Sequence, residues 1–169
     1  MSIKVALIFR GPPGTGKSSL IDSLSELLKN KYTIGIINLD QQWLIKSSDN
    51  RERYYPDLSG LTSDIVFIEV AYAGNSTKNP KHWCDVLRVS SYKIRSFFLD
   101  TDMETCVKRV KARKDNLTPK EVRTYWKKDH MEPFFKGFAL RANVKEVIIS
   151  TDHREIADIA NEILKDIGL

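Results

Sequence analysis

The run Gly11-Pro12-Pro13-Gly14-Thr15-Gly16-Lys17-Ser18-Ser19 places glycines, a lysine and a hydroxyl in the spacing G-x-x-x-x-G-K-[ST]. It follows an apolar, β-branched run at residues 3–9 and precedes a segment whose Leu20, Ile21, Leu24, Leu27 and Leu28 share one helical face. A strand, a glycine loop and a helix form the context in which this spacing has a physical meaning. Glycines let the backbone curl so that successive N–H groups point into one hollow, and a side chain at Gly16 would crowd a phosphate held there. The helix that begins near Lys17 adds the positive end of its dipole. Lys17 is placed to reach β- and γ-phosphates, and the Ser18 hydroxyl to ligate Mg²⁺. The whole stretch from Gly11 to Ser19 reads as a nucleoside triphosphate site, with ATP and Mg²⁺ as its expected ligands.

Moving a γ-phosphate to an acceptor requires more: a carboxylate to orient or deprotonate the acceptor, and cations over the transferring group. Asp40 closes the second apolar run, after Ile37-Asn38-Leu39, at the sheet edge that carries ligands in open parallel sheets. It reads as the acceptor-orienting carboxylate; the other reading, compatible with the first, is the N-cap of the segment 41–46. Glu69 closes the third run, where an acid holds metal or contacts the acceptor; a buried carboxylate bonded to backbone amides is the other reading. Asp100 and Asp102 at the end of the fourth run read as caps of the following helix. Arg109 and Arg113 are four apart on one helical face, so both guanidinium groups can grip phosphate oxygens.

Five apolar runs must position these groups: residues 3–9, 32–38, 64–70, 94–100 and 144–150. Several are almost continuously apolar, as in parallel strands covered on both faces. Helical patterns lie between them, and right-handed crossovers then give a three-layer α/β sandwich in one domain, residues 1–169. The C-terminal pattern places Ile156, Ile159, Ala160, Ile163, Leu164 and Ile167 on one face, with Asp152 and Glu155 spaced as a capping pair. A helix at about 103–114 breaks at Asp115-Asn116. Thr118-Pro119-Lys120-Glu121 then restarts it, with a threonine cap, a proline at the first helical position and a glutamate three after the cap. This excursion, about 105–131, reads as a hinged lid over a ligand or as a static surface hairpin.

The chain has 169 residues, 41% hydrophobic and 29% charged, which suits one soluble globular core rather than a disordered chain. No apolar stretch approaches the roughly 18 residues of a membrane span. The early run carries Lys4 and leads into the glycine loop, which argues against a signal peptide. Cys84 and Cys106 form no metal-like pair and are expected as unpaired thiols in a cytoplasmic protein, and His82, His130 and His153 are not spaced as a metal cluster. Residues 105–128 hold nine basic and two acidic residues, a net +7 that exceeds the +5 of the whole chain. The partner that meets this segment is expected to be anionic.

At these residues the sequence resembles the small P-loop kinases, the group of shikimate kinase, gluconate kinase, chloramphenicol phosphotransferase, zeta toxins and polynucleotide 5′-kinases. The stretch from Phe97 to Arg113 is most similar to the polynucleotide kinase-like members, in which a strand ending in Asp precedes a helix ending in an Arg-rich lid. The resemblance implies a five-stranded parallel sheet in the order 2-3-1-4-5 with a small helical lid. It implies Asp40 as general base, Arg109 or Arg113 as lid residues on ATP phosphates, and the turn Ser150-Thr151-Asp152 near the adenine. Relatives carry D-x-x-R at the acceptor site, whereas Asp40 is followed by Gln41, Gln42 and Trp43. Either Arg51 or Arg53 supplies that cation, or the acceptor differs.

A remodelling ATPase would show adjacent acids at the third strand, where Ile68-Glu69-Val70 stands, and a GTPase would show N/T-K-x-D, which is missing. The expectation is a Mg²⁺- and ATP-dependent kinase. Its catalytic residues are Lys17, Asp40, Arg109 and Arg113, its metal residues Ser18 and Glu69, and Thr151 belongs to its nucleotide site. The acceptor is a hydroxyl of a small metabolite, a nucleoside or nucleotide, or a 5′-hydroxyl polynucleotide. Trp43, Tyr54, Tyr55 and Tyr72 could stack on a base, while ATP alone already accounts for the basic lid and favours a small acceptor. An ATPase, or a nucleotide-dependent binding protein without an acceptor, is the alternative.

Overall fold

The first apolar run becomes strand β1 (Val5–Arg10), in which every residue is buried. Its alternation explains why the run is continuously apolar. Val5, Leu7 and Phe9 enter one core, and Ala6 and Ile8 enter another on the opposite face. The computed structural model describes residues 3–39, 44–45, 55–56, 58, 60–70 and 80–169. The chain continues through β2 (Ile34–Asn38), β3 (Leu44–Ile45), β4 (Tyr55–Pro56), β5 (Ile65–Glu69), β6 (Lys93–Asp100) and β7 (Glu146–Ser150). Five of these strands form one parallel sheet in the order β2-β5-β1-β6-β7, which is 2-3-1-4-5 counted along that sheet. The short antiparallel pair β3–β4 had no signal in the hydrophobic pattern, since two-residue strands carry no period.

Helices cover both faces. α1 (Lys17–Leu28) lies on the side of Val5, Leu7 and Phe9, α2 (Pro80–Val89) on the other, and α3 (Met103–Ala112) and α4 (Pro119–Met131) form the expected hairpin. Two short turns, α5 (Pro133–Lys136) and α6 (Phe138–Ala142), return the chain to β7, and α7 (Ile156–Ile167) packs beside α1. Phe9 stacks on Phe97 with ring centroids 5.7 Å apart and tilts against Phe67 at 6.1 Å. Each such ring, fully buried, contributes about 1.5–3 kcal/mol by removal of apolar surface from water. Trp83 and Cys84 of α2 sit in the second core. Both cysteines are unpaired and buried, and burial pushes the Cys84 thiol to about 12 and the Cys106 thiol to about 11. Among the described residues no helix is long and apolar enough to cross a membrane.

α4 starts as its residues dictate. Thr118 accepts the Glu121 N–H at 3.3 Å, and the Glu121 carboxylate accepts the Thr118 N–H at 2.7 Å. The hairpin has a core of its own, Cys106, Val107, Val110 and Val122. Trp126 donates from Nε1 to the Thr101 carbonyl at 2.8 Å, and Arg123 donates two 2.9 Å bonds to Glu104.

The C-terminal helix differs from expectation. Asp152 and Glu155 do not cap it as a pair: α7 begins at Ile156, with Glu155 as its N-cap and no side-chain bond. His153 adopts a left-handed conformation at φ 55°, so the chain makes another turn before the helix can begin. Asp152 instead accepts the backbone N–H of Asp102 at 3.0 and 3.2 Å, tying the β7–α7 turn to the β6–α3 turn.

Candidate functional site

Parallel register brings the carboxyl ends of the strands to one edge. Phe9 and Asn38 both pair with Glu69, and Asp100 pairs with Ser150. The glycine loop grows from the central strand at this edge. Gly14 and Gly16 adopt φ 87° and 94°, conformations that cost an L-residue energy. A Cβ at Gly14 would also lie 2.6 Å from the Cys106 carbonyl oxygen, so α3 is packed directly on the loop. At Gly16 the nearest atom to such a Cβ is Ile156 Cδ1 at 3.4 Å, an ordinary contact, so the protein itself requires glycine there through backbone conformation alone.

Thr15 braces the loop by donating to the Pro12 carbonyl at 3.0 Å. Lys17 is 6% exposed, and its Nζ donates to the Gly11 and Pro12 carbonyls at 2.8 and 3.0 Å. The loop thus holds its own cation against two of its carbonyls, and a cation beside a glycine loop at a helix start suits anionic oxygen. Ser18, the next residue, donates to both carboxylate oxygens of Glu69 at 3.0 and 3.2 Å. A hydroxyl and a half-buried carboxylate side by side are hard oxygen donors of the kind Mg²⁺ takes, usually one or two from protein with the rest from water and phosphate. The chemistry of this pair therefore fits the expected metal. No cluster of three or more His, Cys, Asp or Glu able to hold a metal exists among the described residues.

Beside the loop lies a cleft of about 370 Å³ lined by Gly14, Gly16, Ser19, Arg109, Arg113 and Thr151, six of the residues singled out from sequence. Arg109 donates to the Gly14 carbonyl at 3.3 Å, and Arg113 pairs with Asp115 at 3.2 Å. Thr151 is buried and shares a short hydrogen bond with Thr101. Arg154 lines the same cleft and was not anticipated. Its signal was available, a third cation three residues after Thr151, but the turn that aims it here is set by His153.

Asp102 caps α3 as expected, accepting the Thr105 N–H at 3.0 Å. Asp100 does not cap. Its Oδ1 lies 2.8 Å from His130 Nε2 on α4, because the strand end faces that helix rather than α3. Asp40 lies outside the described residues, as do Trp43, Tyr54 and Tyr72 and the arginines Arg51 and Arg53. Leu39, which precedes Asp40, continues the ladder by donating to the Glu69 carbonyl at 3.1 Å.

No protein-family model matches the chain. A 40-residue stretch, 24% of this chain and 20% of the relative, is 52% identical to the urease accessory protein UreG of Aliarcobacter butzleri. Solved structures cover nearly the whole chain at low identity. A tunicamycin resistance protein of Deinococcus radiodurans is 14% identical, with a TM-score of 0.58 over 98% of this chain and 96% of its own. A gluconokinase of Sinorhizobium meliloti is 16% identical, with a TM-score of 0.56 over 99% and 94%. A shikimate kinase of Acinetobacter baumannii, solved with shikimate, is 15% identical, with a TM-score of 0.57 over 98% and 94%. The chain shares the fold of these three proteins, as the resemblance at the glycine loop implied.

Proposed function

We propose that this chain is a Mg²⁺- and ATP-dependent phosphotransferase that moves the γ-phosphate to a hydroxyl of a small molecule. The observation that carries the reading is the glycine loop with Lys17 folded into its mouth and Ser18 bonded to Glu69. On binding, β- and γ-phosphate oxygens replace the Gly11 and Pro12 carbonyls as partners of Lys17. Loop amides and the start of α1 take the remaining oxygens, at no reorganisation cost. Ser18 and Glu69 hold Mg²⁺, which supplies positive charge against the phosphate oxygens when bound. Arg109 and Arg113 lie over the cleft that holds the nucleotide and neutralise charge that develops on transfer. Ser19, Thr151 and Arg154 line the same cleft. Asp40 orients the acceptor hydroxyl and receives its proton, as general base.

The acceptor side favours a small molecule over a polynucleotide. Arg109 and Arg113 line the nucleotide cleft and Arg123 is paired with Glu104, so three of the basic residues of the lid already have a use without a polynucleotide. The test is turnover of γ-labelled ATP·Mg²⁺ without acceptor, with pooled nucleosides and small metabolites, and with 5′-hydroxyl oligonucleotides. Label entering the small-molecule pool is the expected result. Label entering oligonucleotides would reassign the acceptor, and release of phosphate at one rate in all three would make the protein an ATPase.

A further inference from the structure

With no lining residue in common with the nucleotide cleft, a second opening of about 250 Å³ lies between β6, β7 and the end of α4. Its volume falls just below the roughly 300 Å³ at which small-molecule clefts usually begin. Asp129 lines it. This carboxylate is 4% exposed, and its Oδ2 has no hydrogen-bond partner among the described residues. Buried carboxylates without a donor are rare because desolvation works against them, so each needs a reason.

Arg10, Lys17 and His130 pull on the Asp129 carboxylate through charge, yet none donates a hydrogen bond to its Oδ2. Arg10 is committed to Glu146 through Nε at 2.7 Å and a terminal nitrogen at 2.8 Å, with a further 3.4 Å bond to the Phe135 carbonyl. His130 sits between Asp100 at 2.8 Å and the Trp126 carbonyl at 2.9 Å. Lys136 lies at the exposed rim. Three carboxylates, Asp100, Asp129 and Glu146, line the opening beside Arg10, Lys136 and the His130 ring. Phe98 and Ile148 form an apolar wall, and Ile148 is 70% exposed although it belongs to a sheet strand. Three carboxylates here do not converge as metal ligands.

From these observations we infer that the cleft binds a small molecule carrying a primary ammonium group, which donates to Asp129 Oδ2 while its apolar body lies against Phe98 and Ile148. An ammonium brings the hydrogen-bond donors that the buried carboxylate oxygen lacks, together with a charge opposite to its own. Burial pushes the Asp129 carboxyl up to about 6, which is the state a cationic partner would relieve. The inference is independent of phosphoryl transfer.

The test is titration of the full chain with cyclohexylamine, cyclohexanol and cyclohexanecarboxylate at about pH 7.5, followed by amide chemical shifts. These probes share a ring and differ in charge. Saturable shifts at Asp129, His130, Phe98 and Ile148 are expected for the amine, with the alcohol and the carboxylate at least about tenfold weaker, the ratio that one charge-assisted bond supplies. Asp129→Asn should weaken the amine by about tenfold or more. Lys136→Gln, an exposed substitution that preserves the fold, should tighten it about two- to threefold. Equal binding of the three probes, no saturation by the amine, shifts confined to another surface, or weaker amine binding in Lys136→Gln would each overturn the inference.

Discussion

Replacing Asp129 by asparagine keeps the shape of the side chain and removes its charge, so the effect on stability isolates the cost of ionising a buried carboxyl. Asp129 is raised from its ordinary 3.8 to about 6, first by burial and then by Glu146, against the opposing pull of Arg10, Lys17 and His130. A folded pKa above the unfolded one means that the native state holds the proton more tightly. Between these two values stability therefore falls as pH rises, and above about 6 the loss is complete. A shift of about two units, at about 1.4 kcal/mol each, makes the ionised carboxylate cost about 3 kcal/mol at about pH 8. The same linkage gives about half of that at about pH 5 and little below about pH 4. Asparagine escapes this term. Its own amide desolvation is the same at every pH and drops out of the comparison. Urea unfolding of both forms should show the advantage of Asp129→Asn over the parent growing by about 1–2 kcal/mol from about pH 5 to about pH 8. In a chain of this length that growth is about 3–6 °C in Tm. An advantage that stays constant across this range, or shrinks toward high pH, refutes the reasoning.

Four further outcomes follow from the nucleotide side. Lys17→Ala should lower phosphoryl transfer by at least about 100-fold, whereas Asp40→Asn should keep ATP affinity within about threefold and lose transfer comparably; single-turnover kinetics beside equilibrium ATP binding separates the two. Gly14→Ala should destabilise the fold by about 2 kcal/mol or more, because the new Cβ meets the Cys106 carbonyl at 2.6 Å in a backbone of positive φ. A change below about 0.5 kcal/mol in denaturant unfolding would show that α3 can yield there. The double change Arg109→Ala, Arg113→Ala should raise the KM for ATP and lower kcat by about tenfold or more, and unchanged kinetics would remove the lid arginines from the reaction.

What the sequence determined by itself is local or periodic. The β1 run is apolar at every second position for one face and at the intervening positions for the other, so its burial on both sides was readable without any partner in view. The loop after it is defined by a spacing within nine residues, and the Thr118–Glu121 box by one within four. The order of the sheet came from the resemblance to the small P-loop kinases, and the three-layer sandwich from the alternation of strands and helices with right-handed crossovers. The tertiary structure decided where lone charges go. Asp129 reads in sequence as one acid in a basic helix, normally solvated, and becomes a buried, unpartnered carboxylate only because the end of α4 lies against β6 and β7. Arg10 finds Glu146 across 136 residues, and Asp100 finds His130 across thirty, pairings that no period or cap signals. Asp152 had a local role available beside Glu155, yet the left-handed turn at His153 sent it to the Asp102 amide instead. Helix caps and apolar faces depend on neighbours a few residues away, whereas the partner of a charge depends on which strands and helices the completed sheet brings together.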